Sequence, residues 1–310
     1  MREILGHYRV GVETAVVVVI LIAVRALLWA IGITGMSTTP LISSVISGGI
    51  FVMGLVVAGT LVDYRDAERA PTDVAASLYA LLRETEAMNR IWGKPDMAAA
   101  RARMIAVVTS LRADITSGNT RECQSAIEDL SQTLEELEGS DVPANYIVRL
   151  RSEQAALRKT TLRVYHIQRE EFLPSAKAMI TSVVAIILLI LLFTDMGGPL
   201  ESLVTVGFLA FFFIYLLRLL NVIDKPFKAG RERTDDDVSL FLLTEFVVHA
   251  QTEGTDALPP EALAAKVEQL EEQLAKVEEA HAEGNVDDTA AALGEVALAA
   301  DNEGAQRQVH

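Results

Sequence analysis

The chain has 310 residues, 51% of them hydrophobic, and a formal net charge of −15. A single cysteine, Cys123, excludes an internal disulfide framework and a cysteine-based zinc cluster, and the five histidines show no metal-ligand spacing. The sequence contains no phosphate-binding glycine loop, zinc-hydrolase helix or nucleophile elbow, so we expect a protein without a cofactor and without catalytic activity.

Four long apolar runs dominate the sequence and come as two pairs. Each run is close to the ~20 residues that a helix needs to cross the hydrocarbon core of a membrane. The runs are Ala15–Ile33, Leu41–Val62, Ala178–Phe193 and Leu203–Ile223. Because the connections at 34–40 and 194–202 are short, each pair is predicted to form a transmembrane hairpin. The sequence therefore predicts an all-α, multi-pass membrane protein whose hairpins occupy residues 1–62 and 178–223.

Basic residues indicate which side of the membrane the remaining segments occupy, because lysine and arginine concentrate on the cytoplasmic side. Here they lie at the hairpin ends that are remote from the two short connections, and the connections themselves contain none. These residues are Arg2, Arg9, Arg65, Arg69, Lys177, Arg218, Lys225, Lys228, Arg231 and Arg233. The pattern predicts that both termini and the segment between the hairpins are cytoplasmic.

Residues 63–177 are predicted to form a helical cytoplasmic domain. Its first helix, 64–91, repeats apolar residues on one face, and the glycine and proline of Trp92–Asp96 then interrupt it. The apolar residues are Val74, Leu78, Leu81 and Leu82. Asp96 can cap the next of three further helices, Met97–Ile115, Arg121–Leu137 and Pro143–Leu173, and Pro174 marks the return to the membrane. Since strand signals are nearly absent, we expect cytoplasmic helices to extend the membrane helices.

The C-terminal part is predicted to comprise a post-membrane cytoplasmic segment, 224–251, and an acidic tail, 252–310. The tail holds 14 acidic and 3 basic residues, a composition typical of a largely solvated segment. Within it, apolar residues follow a heptad spacing, and these are Leu263, Val267, Leu270, Leu274 and Val277. Two heptads are marginal on their own, so two interpretations stay open: an amphipathic helix, and a short parallel coiled coil that joins subunits.

Two stretches of the sequence resemble the bestrophin family. The first is Ser47–Arg69, a glycine-containing apolar helix that exits through an aromatic and charged segment. The second is Tyr215–Gly230, in which Pro-Phe and a glycine follow the last apolar run, with the acidic residues Asp235–Asp237 after it. The order of two hairpins around a helical segment is also similar, over residues 1–250. The chain looks closest to the divergent bestrophin-like membrane proteins of prokaryotes, which implies a prokaryotic plasma membrane.

The resemblance implies a homopentameric ion channel that conducts passively, with chloride or other anions as the expected ions. Its axial pore would be lined by the second membrane helix. Carried over to this sequence, Ser47, Phe51 and Leu55 would line a narrow neck whose apolar rings can gate by dewetting. The residues alone leave open that Phe51 and Leu55 face lipid or a neighbouring helix. The expected partners are the bilayer, further copies of the chain and permeating ions, with no nucleic acid.

Arg25 lies in the interior of the first apolar run. A charge at such a position costs at least ~2.5 kcal/mol on insertion scales and normally faces a partner or water. One interpretation is an anion-attracting group near the permeation path. The other is a structural role, either as a pair with Asp63 or Glu201 or as a side chain that reaches toward the membrane surface.

Two further groups follow the last apolar run. Asp224, Pro226 and Phe227 are predicted to form a turn that anchors the post-membrane segment, with Pro226 ending the helix. The acidic cluster Asp235, Asp236 and Asp237 corresponds to a region that helps to bind calcium in animal bestrophins, but here it begins eight residues after Phe227, a larger offset. Two interpretations stay open, a divalent-cation site with oxygen ligands and a solvated helix start, and we do not expect calcium gating.

The alternative function from another class is a membrane-anchored scaffold or sensor. In that interpretation the hairpins are only anchors, and the cytoplasmic helices and the acidic tail bind partner proteins.

Overall fold

The computed structural model describes residues 9–33, 35–169, 174–227, 237–251 and 260–282. These residues form nine α-helices and two strands of two residues each. The helices are α1 (Arg9–Ala30), α2 (Pro40–Trp92), α3 (Met97–Ser117), α4 (Glu122–Glu138), α5 (Ala144–Arg169), α6 (Pro174–Leu192), α7 (Pro199–Ile223), α8 (Phe241–Gln251) and α9 (Pro260–Ala282), and the strands are β1 (Met36–Ser37) and β2 (Thr194–Asp195). The prediction of a mostly helical protein is confirmed.

Within the described residues, four helices are long and apolar enough to cross a membrane. They comprise Val10–Ala30, Pro40–Trp92, Ser175–Leu192 and Pro199–Ile223, and each contains one of the predicted apolar runs or most of it. The second of them is much longer than a membrane span needs, because α2 continues for 53 residues without interruption. The apolar part of α2 and the polar part that follows therefore belong to one helix, and the location of the polar part in the cytoplasm stays a prediction.

The chain divides into two compact units. The first includes α1, β1, α2 up to Arg65, α6, β2 and α7, and the second includes the rest of α2, α3, α4, α5, α8 and α9. In the first unit, Val18 of α1 packs against Ala210 and Ile214 of α7. Met53 of α2 belongs instead to a core made largely by α6 and α7. The two helices of the first predicted hairpin therefore each pack on the second pair.

Ion pairs in the first unit lie near the helix ends that carry the basic residues. Glu13 of α1 pairs with Arg218 of α7. Lys177 of α6 lies 2.7 Å from the Asp224 carboxylate, whose side chain is only 2% exposed. Both pairs join residues that are far apart in the sequence, so they connect the ends of different helices.

The second unit is built on the predicted apolar face of α2. Val74, Leu78, Leu81 and Leu82 are all buried there. The break after α2 is also confirmed, because the helix ends at Trp92 and the Asp96 side chain caps α3 by accepting hydrogen bonds from the backbone of Ala98 and Ala99. The fourth predicted helix ends at Arg169, and residues 170–173 lie outside the described part of the chain.

A buried polar contact joins three helices of the second unit. The Asp114 carboxylate of α3 accepts hydrogen bonds from the backbone N–H of Cys123 on α4 at 3.0 Å and from the Tyr165 hydroxyl on α5 at 2.5 Å. Asp114 and Cys123 are fully buried and Tyr165 nearly so. Burial raises the pKa of the Cys123 thiol to about 12 and raises that of the Tyr165 phenol above its ordinary range. Cys123 is therefore a core residue with an unreactive thiol.

The heptad positions of α9 are occupied within the same chain. Val267, Leu270 and Leu274 are buried where α9 packs on α3 and α8. The side chains of Leu263 and Val277 lie outside the described residues. The described part of this face is therefore in contact with the second unit of the same chain, which favours the interpretation as an amphipathic helix over a coiled coil between subunits.

Candidate functional site

The predicted neck residues lie on one exposed face of α2. Ser47, Phe51 and Leu55 are spaced by four residues, so they recur about every 6 Å along the helix. Phe51 is 72% exposed and Leu55 63% exposed, although both belong to a strongly apolar helix. None of the three is covered by the described residues of its own chain, which leaves this face available to an axis, a second copy or lipid.

The direction of this face is set by the opposite side of α2. A Cβ atom on Gly49 would lie 2.2 Å from Cδ1 of Ile187, so any larger residue would require the Ile187 side chain to move. Four residues later, Met53 is 1% exposed in the core that also contains Ile187 and Phe213. Because Gly49 and Met53 face α6 and α7, Phe51 and Leu55 must point elsewhere.

The exposed face of α2 also carries small residues and no charge. Gly48, Gly54 and Ala58 are exposed beside the neck residues, and a Cβ added to Gly48 or Gly54 would meet no atom within 4 Å. The segment 40–62 contains no charged side chain. Small residues on an otherwise apolar membrane helix are typical of close contact with another helix.

The two short connections meet through a parallel bridge between β1 and β2. Met36 pairs with Thr194, and Ser37 pairs with Asp195. Gly35 makes the approach possible, since its φ is +89° and a Cβ there would lie 2.5 Å from the carbonyl oxygen of Phe193. The sequence predicted tight turns here, but the alternation that signals a strand cannot be seen in two residues.

Arg25 of α1 contacts this bridge through a hydrogen bond to β2. Its side chain is only 2% exposed, and its guanidinium donates a hydrogen bond to the Thr194 carbonyl at 3.0 Å. Arg25 lies five residues before the end of α1. Only a short connection separates the end of α1 from the start of α2. Asp63, a partner considered from the sequence, lies 23 residues after that start, about 35 Å along the helix axis, so it is out of reach of Arg25. The described hydrogen bond indicates a structural role, and a role on an ion path stays a prediction.

Residues near Arg25 also line a small cavity that is partly open to the surface. It measures about 240 Å³ and is lined almost entirely by apolar atoms of Arg25, Ala26, Trp29, Pro199, Ser202 and Leu203. The guanidinium is directed to the Thr194 carbonyl, so the aliphatic part of Arg25 forms the wall.

The residues after the last apolar helix, which the sequence predicts to form an anchor, are buried. Asp224 caps the C-terminus of α7, and Asp224, Pro226 and Phe227 are all at most 9% exposed. The helix ends at Ile223, before the proline, as expected when the residues preceding a proline leave the helical conformation. Their joint role as an anchor stays a prediction.

The acidic cluster is only partly described. Asp237 is buried, whereas Asp235 and Asp236 lie outside the described residues. Among the described residues, no group of three or more histidine, cysteine, aspartate or glutamate side chains could hold a metal ion. A divalent-cation site at Asp235–Asp237 therefore stays a prediction.

The solved structures most like this chain include bacterial bestrophin homologues. One variant from Klebsiella pneumoniae matches with a TM-score of 0.65 and 11% identity over 79% of this chain and 99% of its own. A second variant from that organism has a TM-score of 0.60 and 12% identity over 79% and 97%. A structure described as a membrane protein has a TM-score of 0.66 and 12% identity over 80% and 99%.

This chain has a bestrophin-like fold. The resemblance seen in Ser47–Arg69 and Tyr215–Gly230 is confirmed at the level of the fold, and it extends over most of the chain. No protein-family model matches the sequence, and no characterised protein matches it significantly. At identities near 12%, the shared property is the bestrophin-like backbone arrangement.

One residue in the bestrophin-like membrane part was missed by sequence reasoning. Thr194 supplies the acceptor for Arg25, and its own side chain is fully buried and donates to the Ile190 carbonyl at 2.6 Å. The only signal was indirect, because a buried arginine in an apolar run requires an acceptor somewhere in the fold.

Proposed function

We propose that this protein is a subunit of an oligomeric ion channel in the plasma membrane of a prokaryote. The channel conducts passively, anions such as chloride being the expected ions, and it has no catalytic step. The bestrophin-like fold and the four apolar helices support a membrane location. The observation that carries the proposal is the exposed face of α2, where Ser47, Phe51 and Leu55 are turned away from the chain's own core.

In an axial arrangement of subunits, this face of α2 would line the central path. In a ring of five chains, Phe51 and Leu55 would form two successive apolar rings about 6 Å apart along the axis. Apolar constrictions of this kind stop ions when water leaves them and conduct when they widen. Ser47 would add a ring of hydroxyl groups one turn before the constriction.

The small residues of the same face support contact between neighbouring subunits. Gly54 and Ala58 are separated by four residues and are exposed in the single chain. Such a pair lets helix backbones approach closely, which a crowded ring of five α2 helices requires. Gly49 has a different role, since it already contacts Ile187 within its own chain.

The proposed topology follows the basic residues. The four helices cross the membrane as two hairpins, and the β1–β2 bridge lies on the extracytoplasmic side. Both termini, residues 63–177, residues 224–251 and the acidic tail lie in the cytoplasm. The ion pairs Glu13–Arg218 and Lys177–Asp224 then lie at the cytoplasmic ends of the helices, where charged groups reach water.

The scaffold interpretation receives less support from the described contacts. Its docking surfaces would be the cytoplasmic helices and the acidic tail, and one apolar face of that tail is already occupied, because Val267, Leu270 and Leu274 are buried against the same chain. A partner would have to displace α9 before it could use that face.

Ion flux from purified protein in liposomes tests the proposal. We expect a potential-driven flux that depends on the protein, with a reversal potential that follows the chloride gradient. No flux from correctly assembled oligomers would overturn the channel assignment, and a reversal potential that follows the cation gradient would overturn the anion preference.

A further inference from the structure

Asp195 is placed next to the start of the proposed pore helix by the register of the β1–β2 bridge. It pairs with Ser37, and α2 begins only three residues later, at Pro40. The close approach of Gly35 to Phe193 holds the two connections together at this point. Asp195 therefore belongs to the second pair of apolar helices in sequence but lies at the N-terminal end of α2 in space.

The Asp195 carboxylate is held in place by hydrogen bonds. Its Oδ1 atom accepts from the backbone N–H of Gly197 at 3.2 Å and from the Ser202 hydroxyl at 3.3 Å. The Ser202 oxygen in turn accepts from the backbone N–H of Met196 at 3.0 Å. A side chain restrained in this way contributes a charge at a fixed position.

Negative charges predominate around the two short connections of the membrane part. The segment 26–62 contains no charged residue, and the segment 178–217 contains only Asp195 and Glu201. Arg25 is 2% exposed beneath the bridge, whereas Asp195 is partly exposed and Glu201 is exposed. The charges that reach solvent at this end are therefore negative.

We infer that Asp195 is a specificity-determining residue at the extracytoplasmic mouth of the pore. This inference rests on the proposed function, and it names the group that biases which ions enter. Repeated in every subunit, the carboxylate raises the local concentration of cations and opposes the entry of anions, so it limits the anion preference of the channel without reversing it. The electrostatic effect of the carboxylate reaches about 10 Å at 0.1 M salt and about 3 Å at 1 M salt. We therefore expect it to influence permeation at low salt and to be screened at high salt.

The substitution Asp195→Asn isolates the charge. The amide oxygen of asparagine can accept the same hydrogen bonds from Gly197 and Ser202, so the bridge keeps its contacts while the negative charge is lost. Glu201→Gln is the matched control, because it removes one negative charge from the first turn of α7, six residues away and outside the paired strands.

The test compares the full-length wild type and both variants in planar bilayers with a potassium chloride gradient. In 50 mM salt, we expect Asp195→Asn to raise the chloride-to-potassium permeability ratio by roughly two-fold or more, and Glu201→Gln to change it less. In 1 M salt, the difference between Asp195→Asn and wild type should disappear.

Three results would overturn the inference. An unchanged permeability ratio for Asp195→Asn at low salt removes the role of its charge, and a shift that persists in 1 M salt indicates an altered structure instead. An equal shift for Glu201→Gln shows that Asp195 is not the determining residue. These results leave the channel itself standing, whereas the absence of wild-type current overturns the proposed function together with the inference.

Discussion

Arg25 donates a hydrogen bond to the carbonyl oxygen of Thr194, 3.0 Å away and 169 residues later in the sequence. This contact joins the end of α1 to the connection between α6 and α7. The carbonyl it binds lies in the strand that pairs with β1, so one buried side chain supports both short connections.

Removal of this contact should destabilise the protein. We expect Arg25→Ala to lower the free energy of unfolding by about 2–4 kcal/mol, because the variant loses a charge-assisted hydrogen bond and leaves a void. Thermal unfolding in detergent measures the effect. Arg69→Ala is the control, since Arg69 is exposed and lies 3.7 Å from Asp66, and its loss should cost under about 0.5 kcal/mol. Equal unfolding temperatures for Arg25→Ala and wild type would contradict the structural role.

Two glycines of α2 should respond differently to the same substitution. Gly49→Leu should disrupt the subunit itself, because Gly49 is buried beside Ile187 and Phe213 and a whole leucine side chain needs more room than a shift of the Ile187 Cδ1 methyl provides. Gly54→Leu should leave the subunit folded, since nothing lies within 4 Å of a Cβ there, but it should weaken assembly. Native mass spectrometry reports the subunit count, and circular dichroism on heating reports folding. Intact oligomers of Gly54→Leu would contradict a role for this face in assembly.

The neck assignment predicts a gain of flux. The double variant Phe51→Ala and Leu55→Ala should widen the proposed constriction and raise chloride flux by roughly ten-fold, because smaller side chains favour water over the dewetted state. Phe208→Ala is the matched control, because Phe208 is 70% exposed on α7. A similar rise for Phe208→Ala, or none for the double variant, would remove these residues from the pore.

The heptad face of α9 predicts a stability effect that does not depend on protein concentration. Leu270→Ala should destabilise the second unit by about 2–5 kcal/mol, because Leu270 is buried against the same chain. Gln269→Ala should have little effect, since Gln269 is exposed. Hydrogen exchange of α8 and α9 at two concentrations checks this prediction. Protection that rises with concentration would indicate a coiled coil between subunits instead.

The buried thiol predicts a specific loss of stability at high pH. The pKa of Cys123 is about 12 in the folded chain against a reference value of 9.0, so the unfolded chain releases its proton first as the pH rises. The stabilising contribution is complete below pH 9 and is lost as the pH rises toward about 12. Denaturant unfolding should therefore show a steeper decline above pH 9 in wild type than in Cys123→Ala, and identical slopes would contradict the assignment.

Much of the helical framework could be predicted from the sequence, because helix formation depends on local signals. The apolar runs, the Gly-Pro break after Trp92 and the cap at Asp96 all act within a few residues. The sequence predicted that a membrane helix continues into the following helical segment, but it did not predict a single helix of 53 residues.

The long-range contacts could not be predicted, because one sequence pattern is compatible with several different contact surfaces. A heptad at Val267, Leu270 and Leu274 is the same whether the face binds another chain or α3 and α8. The partner of Arg25 is a backbone carbonyl, which any residue offers, so no sequence signal marked Thr194. The exposure of Phe51 depends on the contact between Gly49 and Ile187, and the sequence does not mark that contact.

Electron microscopy of the detergent-purified protein tests the central claim most directly, since it gives both the number of subunits and the profile of any axial path. We expect a ring of five subunits with Phe51 and Leu55 at a central constriction. A monomer or a dimer without an axial path would contradict the channel and would make the membrane-anchored scaffold the better account.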